Sequence, residues 1–313
     1  MRMFLILVKK LSISKLSNAE LLRKCFVDKK IIKVGGAFDA MSAKLVENAG
    51  FDAVWAGSFA ISATHALPDA SILTMTEFLD ATTRMVEACK IPIIADCDTG
   101  YGGPSNVAHL VKKYENAGVS AICIEDKIFP KENSLLKDGK SDLLSEKEFV
   151  AKILAAKESK YDKDFMIIAR IEALISGSGM SDALQRATAY ENAGADAIVI
   201  HSKEKSPDEI FEFVDSWNGG VPIIVIPTTY NTVKISELIS HNVKMVIYAN
   251  QTLRASHLSI LKLLEEMYSA ERISDVKQEM SDMEEIFSLQ KMYEHKKREG
   301  KIEEELKKMG YIN

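Results

Sequence analysis

The chain has 313 residues, 47% hydrophobic and 27% charged, enough apolar surface for a large buried core and too much for a disordered chain. Lys and Arg total 40 against 45 Asp and Glu, a net charge of −5 that offers no basic surplus for a nucleic-acid backbone. Cys25, Cys89, Cys97 and Cys123 form no C-x-x-C pair, which argues against a disulfide framework or structural zinc and for a reducing, cytoplasmic setting.

In chain order, the apolar run Met1–Val8 is cut short by Lys9 and Lys10. It is too short for a membrane span or the apolar core of a secretory leader, so residues 1–30 read as an extension and a first helix, with no membrane partner. A repeat then dominates: ENAGFDAVWAG from Glu47, ENAGVSAICIED from Glu115 and ENAGADAIVIHS from Glu191. Each reads as a helix end, a glycine suited to a left-handed closing residue (Gly50, Gly118, Gly194), and an apolar run of the kind found in a parallel strand covered on both faces. Counting similar runs gives eight candidate strands: Ile32–Gly35, Ala53–Trp55, Pro92–Ala95, Ala121–Ile124, Phe165–Ala169, Ala197–Ile200, Pro222–Ile226 and Lys244–Tyr248. Eight strands alternating with helices predict an α/β fold, a closed (β/α)8 TIM-type barrel over 31–265, in preference to an open doubly wound sheet. Beyond Arg254, Leu258, Ile260, Leu261, Leu263 and Leu264 form an apolar helix face, and Ile273–Met280 and Met283–Tyr293 predict further helices. Residues 266–313 thus read as a helical extension, either a cap or a subunit-contact arm.

Barrel active sites lie where strands end, and there the polar residues gather: Trp55 to Ser58, Asp96 and Asp98, Glu125 with Asp126 and Lys127, Arg170 with Glu172, and His201 with Ser202 and Lys203. Asp96, Asp98 and Glu125 converging on one mouth repel one another unless a cation neutralises them, which suits a hard divalent ion. Asp96 and Asp98, two apart at a strand end, are taken to face opposite sides, so one ligates directly and the others act through water, as magnesium prefers. The other reading of these acids is structural ion pairs with Lys127, Arg170 or Lys203. Zinc fits poorly, because none of the six histidines shows ligand spacing. Thr99–Pro104 does not match a dinucleotide fingerprint and reads as a flexible rim loop; Ser181 is a candidate N-cap. His201 suits either an anion or a satisfied inner position, and Cys97 and Cys123 read as small buried hydrophobes.

The stretch EDKIFPKENS from Glu125, with DCDTGYG from Asp96, resembles the phosphoenolpyruvate mutase branch of the isocitrate lyase superfamily. The resemblance runs from about Gly35 to Arg254 and includes PDAS at Pro68, ARIEA at Ala169, GADAIVIHSK at Gly194 and ANQTLRAS at Ala249. It implies Mg²⁺ on Asp96, with Asp98, Glu125 and Asp69 holding its waters. Trp55 would pack on the substrate, and the N–H groups of Gly57, Ser58 and Phe59 would receive its carboxylate. Asn133, Ser134 and Arg170 would grip the phosphoryl group, Lys131 would ride a mobile loop running from Lys127 to Ser134, and Glu172 and His201 would complete the polar shell. The implied reaction interconverts phosphoenolpyruvate and phosphonopyruvate, in a homo-oligomer (a dimer or tetramer) whose eighth helix is swapped between subunits.

Within that superfamily, C–C lyases resemble one another in a loop cysteine, and no cysteine follows Cys123 here. Phosphonopyruvate hydrolase has an FPK-x-TS-type loop, whereas Asn133 precedes Ser134 here, which favours the mutase; the hydrolase stands as the alternative. Simple ligand binding would need fewer acids. One departure is the order Gly57-Ser58, where the family often has Ser-Gly.

Overall fold

The computed structural model describes residues 16–137, 139 and 141–312; the apolar run Met1–Val8 lies outside them. The chain starts with α1 (Asn18–Asp28), capped by Ser17 and Glu20 bonding reciprocally to each other's backbone N–H. There follow β1 (Ile32–Ala37), α2 (Ala40–Asn48), β2 (Ala53–Ala56), α3 (Ser58–Thr64), α4 (Met75–Ala88), β3 (Ile93–Asp96), α5 (Pro104–Asn116) and β4 (Ala121–Glu125). Then come α6 (Glu146–Ser159), β5 (Met166–Ile171), α7 (Ala173–Ser176), α8 (Met180–Ala193), β6 (Ala197–Ile200), α9 (Asp208–Ser216), β7 (Ile223–Val225), α10 (Ile235–Ser240) and β8 (Met245–Tyr248). The strands pair in parallel in sequence order, and β8 closes on β1, so the barrel is closed as predicted and the open sheet is excluded.

Strand alternation explains both the two-layered core and the site. Trp55, Ile94, Cys123, Ile168 and Val199 fill the barrel, while Ala95, Ile122, Ile124, Ile167 and Ile198 pack outward beneath the helices. A side chain two residues beyond an inward one points inward again. Asp96, Glu125, Arg170 and His201 each stand two after one of those barrel-filling residues, so the pleat that buries the core aims them at the mouth.

The repeated glycines do what their position predicts: Gly50, Gly118 and Gly194 have φ of +84°, +79° and +103°. Ser181 is not a cap. Gly179 precedes α8, and Ser181 lies inside its first turn. The segment 99–103 is pinned, contrary to its reading as a flexible rim loop. Thr99 is buried, its carbonyl accepts from Lys152 Nζ at 2.8 Å, and Tyr101 stacks on Phe78 at 5.8 Å.

A second compact unit begins at Thr252. It comprises most of α11 (Gln251–Ser269), a single 3₁₀ turn at Ile273–Asp275, α12 (Met283–Leu289) and α13 (Met292–Lys308). The helix expected over Ile273–Met280 is therefore reduced to one turn. The one expected over Met283–Tyr293 breaks at Lys291, which adopts φ +57°.

Candidate active site

The inward residues at the C-terminal rim surround a cavity of about 160 Å³. Of the residues singled out in the sequence, Trp55, Gly57, Ser58, Phe59, Asp69, Asp96, Lys131, Asn133, Ser134, Arg170 and His201 line it. Asp98, Glu125 and Glu172 are buried immediately behind that lining.

Its acidic side is built from β3, β4 and the turn before α4. Asp96 Oδ2 accepts from Ser58 Oγ at 2.9 Å and from Ser58 N–H at 3.3 Å, tying the end of β3 to the start of α3. Asp98 N–H donates to Asp96 Oδ1 at 3.4 Å, and Asp98 turns back at φ +49°. The two aspartates therefore serve the same mouth rather than opposite sides, because β3 ends at Asp96 and the chain turns back at Asp98. Lys131 Nζ reaches in from the segment between β4 and α6, 2.9 Å from Asp69 Oδ1 and 2.8 Å from Asp98 Oδ1. Burial alone would lower that ammonium's pKa, but Asp98, Glu125, Asp69 and Asp96 outweigh it and hold it well above the usual range.

Opposite stands a basic cluster. Arg170 Nε donates to Glu172 Oε1 at 2.5 Å and lies 3.4 Å from Glu125 Oε2. Arg170 Nη2 donates to Ser134 Oγ at 3.2 Å and lies 2.9 Å from His201 Nδ1. Burial would raise Glu172, yet Arg170, His201 and Lys127 hold its carboxyl well below the usual range. Burial and then the Arg170 charge push His201 down, and its Nδ1 lies 3.1 Å from Glu172 Oε1 as well as 2.9 Å from Arg170 Nη2. The two readings of His201 merge: it is a satisfied inner histidine that also lines the cavity. Cys97 and Cys123 are buried, and burial pushes both thiols up, as expected of packing residues.

The segment after β4 is held over this mouth by side chains. Asn133 Nδ2 donates to Asp69 Oδ2 at 2.7 Å, Ser134 Oγ to Glu172 Oε2 at 2.5 Å, and Lys131 N–H to Ser71 Oγ at 3.0 Å. Lys127 Nζ, also buried, donates to the Glu132 carbonyl at 2.8 Å and to Ser134 Oγ at 2.9 Å.

The acids fit a divalent cation. Asp98 Oδ2 and Glu125 Oε1 are buried with no hydrogen-bond partner, an arrangement too costly to leave uncompensated. Burial first, with neighbouring negative charge, pushes Asp98 up to about 6 and Glu125 up to about 7. Among the described residues, no three His, Cys, Asp or Glu side chains are set to hold a metal ion between them. Binding would thus combine direct contact with bridging water. Of the expected cation partners Arg170 pairs with Glu125, while Lys203 Nζ goes instead to the Ile175 carbonyl and Lys127 Nζ lies 3.8 Å from Glu172; Asp98 is paired with Lys131.

A family model described as phosphoenolpyruvate phosphomutase matches residues 22–268. The chain belongs to the phosphoenolpyruvate phosphomutase family. It is 42% identical to a phosphoenolpyruvate phosphomutase of Tetrahymena pyriformis over 81% of this chain and 85% of that one. It is 41% identical to a phosphonopyruvate hydrolase of Variovorax sp. over 88% of this chain and 95% of that one. The crystal structure of a phosphonopyruvate hydrolase with oxalate and Mg²⁺ superposes with a TM-score of 0.85 at 38% identity, covering 91% of this chain and 99% of that one.

For a phosphoenolpyruvate phosphomutase family site, the sequence reading passed over several residues. Thr228 and Asn250 line the cavity beyond the ends of β7 and β8, rim positions whose place after those strands could have singled them out. Asn250 Oδ1 is buried without a partner. Ser71 follows Asp69 in the quoted PDAS stretch, but no local signal marks it as the seat of Lys131. The Gly57 N–H donates to the Ala37 carbonyl at 3.3 Å and the Ser58 N–H to Asp96 Oδ2 at 3.3 Å, so two of the three expected carboxylate donors are already engaged.

Proposed function

We propose that this protein is a phosphoenolpyruvate mutase that interconverts phosphoenolpyruvate and phosphonopyruvate by Mg²⁺-dependent intramolecular phosphoryl transfer. The observation that carries the reading is the placement of the Asn133 amide and Ser134 hydroxyl on a segment pinned over a cavity that also holds Arg170 and His201. In the direction of carbon–phosphorus bond formation, the P–O bond of phosphoenolpyruvate breaks, its electrons pass to the pyruvate enolate, and the enolate carbon takes the phosphorus. Such transfers run through a loose, metaphosphate-like species, so the protein must hold two fragments and keep water from the phosphorus.

Arg170 suits the transferring group because its fork matches phosphoryl oxygens, and the second amide hydrogen of Asn133 adds a donor on the same side, beside Ser134 and His201. Trp55 forms the floor, and of the three expected donors the Phe59 N–H receives the substrate carboxylate, since the Ser58 N–H is bonded to Asp96. Asp96 would contact the metal, with Asp98, Glu125 and Asp69 holding its waters; bound there, the ion supplies positive charge to the enolate oxygen. Both Asp69 oxygens are engaged by Lys131 and Asn133, which supports a role in holding the loop rather than in nucleophilic attack. Glu172 orients Arg170, His201 and Ser134 together.

Hydrolysis of phosphonopyruvate to pyruvate and phosphate is the second reading, favoured by the 41% identity to the Variovorax protein. Incubation with phosphonopyruvate and Mg²⁺ followed by ³¹P NMR separates the two. The mutase yields phosphoenolpyruvate; phosphate as the sole phosphorus product would replace it with the hydrolase. Asn133→Thr, which shortens the side chain and gives up the bond to Asp69, is expected to raise the phosphate share several-fold, and an unchanged ratio would refute the role given to the amide.

Cation binding should be pH-dependent, with the sign set by Glu125 and Asp98. Their raised values, about 7 and about 6, mean that both are largely protonated in the metal-free protein at about pH 5.5. Bound protons compete with the ion, so Mg²⁺ affinity falls as pH drops below about 7 and levels off above about 8, with proton release on binding. Titration calorimetry in two buffers of different ionisation enthalpy measures that release; a pH-independent affinity without proton release would count against the site.

The four free, dispersed cysteines support a reducing, cytoplasmic setting, and the substrates named for the relatives support a small-molecule substrate. Leu258, Ile260, Leu261 and Leu264 stand exposed along α11 and support a homo-oligomer, dimer or tetramer, formed by exchange of that helix. Residues 31–265 would then be the catalytic barrel, flanked by extensions at 1–30 and 266–313.

A further inference from the structure

Asp126 does not reach the cavity, yet it is buried and each of its backbone and side-chain polar atoms is engaged. Its N–H donates to the Arg170 carbonyl at 3.2 Å, and its carbonyl accepts from Leu144 N–H at 2.8 Å. Oδ1 accepts from Glu172 N–H at 2.9 Å. Oδ2 accepts from Tyr190 OH at 2.7 Å and from Arg186 Nη1 at 3.1 Å. Arg186 Nη1 also lies 3.0 Å from the Leu144 carbonyl, so both backbone polar atoms of Leu144 are held by this cluster. Arg186 is steadied in turn by Asp182 Oδ2 at 2.7 Å. Arg186 and Tyr190, four apart on one face of α8, act as a unit.

These contacts join three pieces of chain at one point. One is the stem of the segment held over the mouth, where Lys127 bridges Leu143 and Ile128 N–H donates to the Asp142 carbonyl at 3.0 Å. The second is the end of β5, which carries Arg170 and Glu172. The third is α8. A buried ion pair is poor at adding net stability compared with well-packed apolar groups, so stability alone does not account for a carboxylate, a guanidinium and a phenol here. What such a cluster supplies is fixed geometry.

We propose that Asp126, Arg186 and Tyr190 form a post that fixes the stem of the loop relative to Arg170 and Glu172, making them positioning residues for phosphoryl transfer. Loop opening would then separate Lys131, Asn133 and Ser134 from Asp69 and Glu172 while residues 126–128 and 142–144 stay in place. With the stem fixed, the loop returns to one position and water is kept from the transferring group. This inference rests on the mutase reading for its chemical readout.

Tyr190→Phe tests it by removing one hydrogen bond without changing charge or leaving a large void, and Asp126→Asn removes the charge at nearly constant shape. Both should stay folded, with melting temperatures within a few degrees of the parent for Tyr190→Phe. Turnover of phosphonopyruvate should fall about tenfold in Tyr190→Phe and about a hundredfold in Asp126→Asn, with kcat affected more than KM. The share leaving as pyruvate and phosphate should rise several-fold, because water now reaches the phosphorus. Trypsin cleavage after Lys131 and Lys137, in the presence of Mg²⁺ and oxalate, should quicken in both variants. The post is refuted if product ratio and cleavage rate match the parent, or if activity falls only in step with the folded fraction. Should the parent enzyme itself release only phosphate, the mutase reading fails while the cleavage rates still decide the post.

Discussion

Asp96→Ala is expected to fold and to lose turnover by at least about a thousandfold, roughly 4 kcal/mol of transition-state stabilisation. Two losses coincide there. The proposed direct contact to the cation disappears, and Ser58 loses the carboxylate that receives both its N–H and its hydroxyl. Asp96→Asn separates them, because an amide oxygen can still accept from Ser58 while the charge is gone. Activity should therefore remain low in Asp96→Asn, and Mg²⁺ affinity, measured by calorimetry, should fall in both variants. Full activity in Asp96→Asn would show that the carboxylate's charge is not what the reaction uses, and the cation argument would go with it.

Arg170→Met should be nearly as damaging, by a different route. Arginine clamps on transferring phosphoryl groups are worth about 10³–10⁵ in rate. Arg170 also neutralises Glu172 and Glu125, at 2.5 and 3.4 Å, and breaking a buried pair by removing one partner costs about 3–5 kcal/mol of stability. Arg170→Lys keeps a charge without the fork, so it should recover much of the stability and little of the rate. The pH dependence has a definite sign. Glu172 is held below its unfolded value, so its contribution is present at neutral pH and is lost as pH falls through the lowered folded value. In Arg170→Met that lowering weakens, so the stability gap between the variant and its parent should narrow between pH 7 and pH 4. Urea unfolding at both pH values measures it; a gap that widens toward acid would overturn the assignment of Arg170 as the main partner of Glu172.

Much of the site was legible because the pleat has a period of two. Once Cys123, Ile168 and Val199 are read as barrel-filling, Glu125, Arg170 and His201 must face the mouth. The pleat does not reach Asp98: β3 ends at Asp96, and the positive φ at Asp98 turns it back to the same mouth, contrary to the expected opposition. The loop residues were readable from EDKIFPKENS only through family resemblance, since no local periodicity tells where Lys131 lands. The Gly57 N–H looked available because its partner, the Ala37 carbonyl, belongs to a different strand end.

What the amino-acid order determined by itself is the alternation of eight apolar runs with helices, the glycines that close the ENAG repeats, and the row of polar groups placed just after the strands. Those features follow from interactions between residues a few positions apart, and near-neighbour chemistry is written directly in the order of side chains. Tertiary structure alone decided that Lys131 lies between Asp69 and Asp98, and that Asp126 meets Arg186 and Tyr190, 60 and 64 positions away. It likewise decided that Lys203 turns from the acids to the Ile175 carbonyl. Such pairings arise only when β8 closes on β1 and the loops are brought over one rim, because burial, which makes each unpaired charge costly, does not exist until the barrel has closed.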